Sequence, residues 1–278
     1  MTISQARIQI TQITNNSIEA DMILGHLLKV PRSYLFTHTN IPLSEINESK
    51  FYEYLRRLSN NEPIQYILGY ADFMNIRLKV TPGVLIPRND TEILAQCAID
   101  IINKHNYLRM LDMCTGSGCI GLSVLHEVHD RKLRVTMADI SPIALNLAGE
   151  NAKALNENRI RLVETNYFSS LDPSADKFDI IVSNPPYIEK SEIPMLMPKV
   201  REYEPHLALD GGDDGLDAYR IIIEQAPNFL CQGGHLVFEI GYTQAPAVAK
   251  LMESSFKNIE IIKDLSGLDR VVKGEKIN

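Results

Sequence analysis

The chain has 278 residues, of which 45% are hydrophobic and 23% charged, so it has an ordinary globular composition and enough length for two domains. Its formal net charge of -7 argues against the strongly basic surface of a protein that binds duplex DNA or an anionic membrane. The four cysteines form no CxxC pair, and no stretch reaches the roughly 18 apolar residues of a membrane span. We therefore expect a cytoplasmic protein with reduced thiols and no metal.

The first part of the chain is predicted to be helical. Ser17 is a candidate cap for a helix with apolar residues between Ile18 and Leu27 at near-helical spacing, and a second helical pattern runs from Phe51 to Leu58. Basic and acidic residues are nearly balanced here, so this is not a basic arm for nucleic acid. We predict a helical domain over residues 1–70, which either docks a protein substrate or caps the main domain.

A linker follows over residues 71–88. The segment 73–80 alternates as a strand does, and 81–87 is predicted to form a turn and a short strand, giving a β-hairpin. Asn89, with Glu92 three residues later, is typical of a helix cap and predicts a helix that continues through Ile101.

From Tyr107 onward, apolar strands alternate with helices. Strands are predicted at 109–113, 133–139, 160–164, 178–184 and 235–241, and helices at 120–128, 142–155 and 217–230. Ser141 and Pro142 form the N-cap and first position of the second of these helices. Two closing segments, 258–264 and 269–275, are predicted to pair as an antiparallel hairpin. Residues 89–278 are therefore predicted to form a doubly wound α/β domain with a mostly parallel sheet.

A glycine-rich loop, GSGCIG, follows the first strand of this domain at residues 116–121. Its glycines let a ligand approach the backbone at a helix N-terminus, and Asp139 closes the next strand, where an acid can accept the ribose hydroxyl protons. This pattern indicates an adenosine-containing cofactor. Asp112, just before the loop, would repel a pyrophosphate but could help to bind a charged amino group, which favours S-adenosyl-L-methionine over a dinucleotide.

A second motif follows the strand at 178–184 and comprises Asn184, Pro185, Pro186 and Tyr187. An amide or aromatic amine is a poor nucleophile, and an enzyme can aim its lone pair by accepting hydrogen bonds from both N–H groups. The Asn184 side-chain oxygen and the Pro185 carbonyl can be those acceptors, while Pro186 stiffens the turn and Tyr187 offers a flat face. The two motifs together predict methyl transfer to a planar nitrogen.

The whole chain resembles the PrmC/HemK family, the N5-glutamine methyltransferases of peptide-chain release factors. The resemblance is carried by EPIQYILGYADF (62–73), VTPGVLIPRNDTEIL (80–94), DMCTGSGCIGLSV (112–124), SNPPYI (183–188), EPHLALDGGDDGLDAYR (204–220), FEIGYTQ (238–244) and DLSGLDRVV (264–272). It implies a class I, Rossmann-like methyltransferase sheet and N-terminal helices that dock the substrate. The implied reaction transfers a methyl group from S-adenosyl-L-methionine to the glutamine of the GGQ motif in class-1 release factors.

The resemblance also implies site residues. The cofactor would be surrounded by Cys114, Thr115, Gly116, Ser117 and Gly118, with Asp139 at its ribose, Tyr167 beside its adenine and Asn184 touching both cofactor and substrate. Three positions depart from the family pattern: Cys114 replaces a usual Gly, Tyr167 a common Trp and Asn166 a frequent Asp.

Other functions remain open from the sequence. The Asn-Pro-Pro-Tyr turn also serves N6-adenine and N4-cytosine methyltransferases, although the acidic balance of the chain argues against nucleic acid as partner. A ribosomal-protein glutamine is an alternative acceptor. A nicotinamide-dependent oxidoreductase would explain the glycine loop but not the turn, and a non-enzymatic binding module would explain neither motif fully.

Overall fold

The computed structural model describes residues 1–277, and the chain divides into two compact units. The first unit comprises Met1–Tyr70 together with Met197–Tyr203, and the second comprises Ala71–Leu196 and the chain from Glu204 onward. The segment Met197–Tyr203 lies within the range that the sequence assigned to the methyltransferase domain. None of the helices in the described part of the chain is long and apolar enough to cross a bilayer.

The first unit is helical. Its first 70 residues form α1 (Ile3–Thr14), α2 (Ser17–Leu28), α3 (Arg32–Thr37), α4 (Glu45–Ser59) and α5 (Ile64–Leu68), and a short helical turn at Pro198–Arg201 belongs to the same unit. The predicted cap at Ser17 is wrong by one residue, because the side chain of Asn16 accepts from the N–H groups of Ile18 and Glu19. The segment from Met197 joins this unit through Tyr203, whose hydroxyl donates to the Asn60 carbonyl at 2.7 Å.

The hairpin at the start of the second unit lies earlier than predicted. Its strands are β1 (Tyr70–Phe73) and β2 (Ile76–Lys79), and residues 81–87 contain no strand. The predicted cap at Asn89 is also wrong, since helix α6 (Thr91–His105) begins two residues later and has no side-chain cap. The Glu92 carboxylate accepts instead from the Met74 N–H at 2.8 Å, so a bond to the hairpin replaces the local capping bond.

The main sheet has seven strands: β3 (Arg109–Met113), β4 (Arg134–Asp139), β5 (Ile160–Glu164), β6 (Phe178–Ser183), β7 (Leu230–Glu239), β8 (Phe256–Lys263) and β9 (Asp269–Lys276). Their order is β5-β4-β3-β6-β7-β9-β8. The first five strands are parallel neighbours, and β9 runs antiparallel to both β7 and β8. The predicted α/β class, with a mostly parallel sheet and an antiparallel C-terminal hairpin, is confirmed.

Helices cover both faces of this sheet. They are α7 (Cys119–Glu127), α8 (Pro142–Ala154), α9 (Asp217–Phe229) and α10 (Ala245–Met252), in addition to α6. Alternate residues of β3 enter opposite cores: Met110 packs with α6, α7 and α8, whereas Leu111 packs with α9 and α10. The predicted cap of α8 is present, with the Ser141 hydroxyl accepting from the Ala144 N–H at 3.3 Å.

The strand order reverses direction between β3 and β6. The chain passes from β3 to β4 on one side and returns to β6 on the other, which leaves a crevice at the carboxyl ends of these two strands. The glycine loop follows β3 and the Asn-Pro-Pro-Tyr turn follows β6. The topology therefore brings the two motifs to one edge of the sheet.

Candidate active site

A cleft of about 220 Å³ opens at this edge, within the second unit. Eight of the residues nominated from the sequence line it: Cys114, Thr115, Gly116, Ser117, Asp139, Tyr167, Asn184 and Pro186. Three others do not line it, namely Gly118, Pro185 and Tyr187. The cleft is also lined by residues 83–88 and by Pro205, Leu207, Ala208 and Asp210.

The loop after β3 turns through left-handed backbone at alternate residues. The φ angles of Cys114, Gly116 and Gly118 are 61°, 57° and 81°. A side chain in this region costs roughly 1 kcal/mol, so Cys114 carries a local strain that a glycine would not. A β-carbon on Gly118 would lie 3.2 Å from that of Ala148, so this glycine also permits close packing against α8.

Asp112 is fully buried behind the loop. Its Oδ2 accepts from the Thr115 hydroxyl at 2.6 Å and from the Gly121 N–H at 3.0 Å. Desolvation raises the pKa of this carboxyl to about 7, against the lowering effect of the hydrogen bonds. Asp112 does not line the cleft, so the expectation that it would help to bind a charged amino group is not met by this geometry. It braces the glycine loop against the start of α7.

Asp139 lies at the end of β4 and faces the cleft. Its Oδ2 accepts from the Gly116 N–H and its Oδ1 from the Ser141 N–H, each at 2.9 Å. Burial raises the pKa of the carboxyl, and the backbone N–H groups of Ser141, Gly116 and Ile140 oppose that rise. Since a carboxylate has about four acceptor positions, these bonds orient the group and leave capacity for a ligand hydroxyl.

Two residues that sequence reasoning missed hydrogen-bond to Asn184: Thr91, which lines the cleft, and Glu239, which does not. Nδ2 of Asn184 donates to the Thr91 hydroxyl at 3.2 Å, and the same side chain is also hydrogen-bonded to Glu239. Glu239 ends β7, is 2% exposed, and has a pKa raised by burial to about 7. The sequence could have indicated Glu239 as a site residue, because it is an acid that directly follows the apolar run Leu236–Phe238. Thr91 offered no such signal, because its neighbours predicted only a helix start.

Tyr187 lies behind the turn. The sequence suggested that its ring would offer a flat surface to the acceptor, but the side chain packs instead against the core that contains α9 and α10. Its carbonyl accepts from Nε2 of Gln244 at 3.0 Å, and the same amide donates to the Gly215 carbonyl at 3.1 Å. The Oε1 of Gln244 accepts from the Gly241 N–H at 3.0 Å. Gln244 thus ties the turn to the loop at Gly215 and to Gly241, just after β7.

Tyr167 is another residue that lines the cleft. Tyr167 has a φ of 52°, and burial raises its pKa to about 12. Tyr167 also lines a neighbouring polar hollow together with Lys190, Asp210, Asp213 and Asp217. Within residues 1–277, no group of three or more His, Cys, Asp or Glu side chains is arranged to hold a metal ion.

Two family profiles match the chain: the PrmC N-terminal domain over residues 2–69 and the methyltransferase small domain over residues 78–201. The release factor glutamine methyltransferase of Clostridium acetobutylicum is 39% identical, over 91% of this chain and 89% of its own length. That of Thermodesulfovibrio yellowstonii is 40% identical, over 95% and 94%.

The fold is also similar to that of a solved 16S rRNA methyltransferase from T. thermophilus, in complex with AdoMet and guanosine. The TM-score is 0.53 at 16% sequence identity, over 75% of this chain and 50% of that one. At this identity the likeness extends to the fold only.

Proposed function

The chain belongs to the family of release factor glutamine methyltransferases, and we propose that it methylates the N5 amide of the glutamine in the GGQ motif of class-1 peptide-chain release factors. It is an S-adenosyl-L-methionine-dependent protein-glutamine N-methyltransferase. The product of the proposed reaction is N5-methylglutamine.

The cleft fits the cofactor in two respects. Asp139 keeps acceptor capacity toward the cleft for ribose hydroxyls, and a β-carbon on Gly116 would meet no protein atom closer than Val84 Cγ1 at 3.9 Å. The loop thus leaves room for a ligand against its backbone. We assign cofactor binding to Cys114–Gly118, Asp139, Tyr167 and Asn184, although Gly118 acts behind the loop rather than in the cleft. S-adenosyl-L-methionine supplies a methyl group on a sulfonium, which is electrophilic without further activation.

The orientation of Asn184 is the observation that carries the proposal. Its Nδ2 is occupied by hydrogen bonds to Thr91 and Glu239, so its Oδ1 is the atom left to accept from a substrate N–H. The Pro185 carbonyl follows Asn184 in the turn but does not line the cleft, and we propose that it accepts the second N–H when the glutamine binds. Two acceptors fix the plane of the glutamine amide, and alignment of its nitrogen with the methyl then provides most of the acceleration. The transferred methyl makes the nitrogen acidic, so no strong base is required beforehand.

We assign Pro186 and Tyr187 to supporting this turn, and the first unit to docking the rest of the release factor. The proposed site of action is the cytoplasm, with nucleic acid and membrane absent from the partners. The net charge of -7 is consistent with a protein substrate.

A radiolabelled-methyl assay with release factor, ribosomal protein and DNA in parallel tests the substrate. Label is expected in release factor at the GGQ glutamine and should disappear when that glutamine is replaced. In the same assay, Asn184→Ala should reduce turnover by more than ~100-fold, the scale of a lost transition-state contact. Label confined to ribosomal protein or DNA would contradict the proposed acceptor.

The docking role is tested separately with the intact enzyme. The KM for whole release factor should be well below that for a short GGQ peptide, with a similar kcat for both. Equal KM values would leave the first unit without a role in substrate recognition.

A further inference from the structure

Glu239 is a buried acid next to the candidate catalytic turn. Its side chain is hydrogen-bonded by Thr91 and Asn184, while its Oε2 has no partner among the described residues. The charged groups that act on it are Arg270, which favours the carboxylate, and Asp90, which disfavours it. Glu239 does not line the cleft, so it reaches the reaction only through the residues in front of it.

Packing alone does not account for an acid at this position. The preceding residues of β7, Leu236, Val237 and Phe238, are apolar and fully buried, and an apolar residue would continue that core. A buried carboxylate with one oxygen lacking a partner is unfavourable for folding, whereas such groups are common where a functional side chain must be held.

The hydrogen bonds around Glu239 have a defined direction. When Glu239 is ionised its carboxylate can only accept, so the Thr91 hydroxyl donates its proton to Glu239 and keeps its lone pairs for the Asn184 Nδ2, at 3.2 Å. Both donors of the Asn184 amide are thereby engaged by protein groups and are not free to face a substrate. Rotating the amide by half a turn would place its oxygen against the carboxylate, acceptor to acceptor, and would present N–H groups to a substrate that itself donates.

We propose that Glu239, through Thr91 and directly, is a positioning residue that fixes the orientation of the Asn184 amide so that its oxygen faces the acceptor nitrogen. The inference depends on the proposed role of Asn184 in methyl transfer. Its signature is a much larger loss in kcat than in cofactor binding, because Asp139, Tyr167 and the loop Cys114–Gly118 are unchanged.

Glu239→Met and Glu239→Gln test this as a matched pair of similar volume. Methionine cannot accept from Asn184, so kcat should fall by about 30-fold, while the dissociation constant for S-adenosyl-L-methionine changes by less than about 3-fold. Glutamine retains an acceptor oxygen and should remain within about 10-fold of wild type. Thr91→Val, which removes only the hydroxyl, should fall between the two. Wild-type kcat in Glu239→Met would overturn the proposal.

A double-mutant cycle separates positioning from a general structural effect. In an Asn184→Ala background, Glu239→Met should lower the residual single-turnover rate by less than about 3-fold, because the residue it positions is gone. A full additional loss would overturn the proposal. If Asn184→Ala itself is fully active, the proposed function of the turn fails; if it is inactive while Glu239→Met is active, only the positioning role fails. Thermal unfolding of Glu239→Met should show no loss of stability, since a buried acid is removed.

Discussion

Nη2 of Arg88 lies 2.5 and 2.6 Å from the two carboxylate oxygens of Glu204. The Glu204 side chain is 1% exposed and that of Arg88 39%. The pair joins the segment before α6 to the segment that supplies Pro205 and Leu207 to the cleft wall. An ion pair with one fully buried partner differs from a surface pair, because the carboxylate has given up its hydration.

We expect Arg88→Ala to lower the free energy of unfolding by about 3 kcal/mol, because the guanidinium no longer offsets the buried charge. The matched control is Arg77→Ala, which breaks an ion pair with Asp72 that is 61% and 56% exposed and should cost less than about 0.5 kcal/mol. Urea unfolding of both variants measures the difference. Equal losses would show that burial of Glu204 does not strengthen the pair.

The second prediction concerns three glycines with left-handed backbone, Gly116, Gly118 and Gly267. Gly118 and Gly267 both have a φ of 81°, but a methyl on Gly118 would lie 3.2 Å from Ala148 and Leu122, whereas one on Gly267 would meet nothing within 4 Å. We expect Gly267→Ala to cost about 1 kcal/mol from the backbone alone, and Gly118→Ala about 2 kcal/mol. Gly116→Ala should resemble Gly267→Ala in stability but weaken cofactor binding, since Gly116 lines the cleft.

Unfolding and isothermal titration with S-adenosyl-L-methionine distinguish these variants. Cofactor affinity should fall by about 10-fold in Gly116→Ala and remain unchanged in Gly267→Ala. An unchanged affinity in Gly116→Ala would contradict the assignment of the cofactor to this loop.

The sequence predicted the parts of the fold that depend on local patterns. Strand β5 has the predicted bounds, residues 160–164, and Ser141 caps α8 as its position before a proline indicated. The parallel order follows from alternating strands and helices, which also brings Gly116 and Asn184 to one sheet edge. These features need only residues close together in the chain, or a topology with few alternatives.

The parts that were missed depend on contacts between distant residues. Glu92 was predicted to cap its own helix, but its carboxylate is bound by the Met74 N–H, which lies 18 residues away. Arg88 meets Glu204 across 116 residues, and Tyr187 turned toward the core rather than the cleft. Periodicity and motif spacing contain no information on such pairs, so the site could be located from sequence but its supporting contacts could not.

Asn151 offers a test of one such supporting contact. This residue is 1% exposed. Its side-chain oxygen accepts a hydrogen bond from the Lys79 N–H at 2.7 Å, and its Nδ2 donates to the carbonyls of Lys79 at 3.1 Å and Ser117 at 2.9 Å. It therefore ties the glycine loop to the end of β2. We expect Asn151→Ala to lower the free energy of unfolding by about 3 kcal/mol, because buried backbone groups lose their partner.

The control is Asn146→Ala on the same helix, because the exposed side-chain amide of Asn146 donates one hydrogen bond, to Glu150 at 3.4 Å. This variant should lie within about 0.5 kcal/mol of wild type. Cofactor affinity should fall in Asn151→Ala and not in Asn146→Ala, since only the former holds Ser117. A loss of stability without a loss of affinity would show that the loop keeps its shape unaided.

The pH dependence of stability should reveal the buried Asp112 carboxyl. Its pKa is raised from 3.8 to about 7, first by desolvation and also by the nearby charge of Asp139. An acid with a raised pKa binds its proton more tightly in the folded state, so its stabilising contribution is complete below the unfolded pKa and is lost as the pH rises through about 7.

Asp112→Asn keeps the shape and an acceptor oxygen but cannot titrate. The unfolding free energy of wild type should therefore fall relative to Asp112→Asn between about pH 4 and pH 7, by up to about 1.4 kcal/mol per pH unit. Urea unfolding across this range measures the difference, in which the other titrating groups cancel. Parallel curves for the two proteins would mean that Asp112 ionises in the folded state as easily as in the unfolded chain.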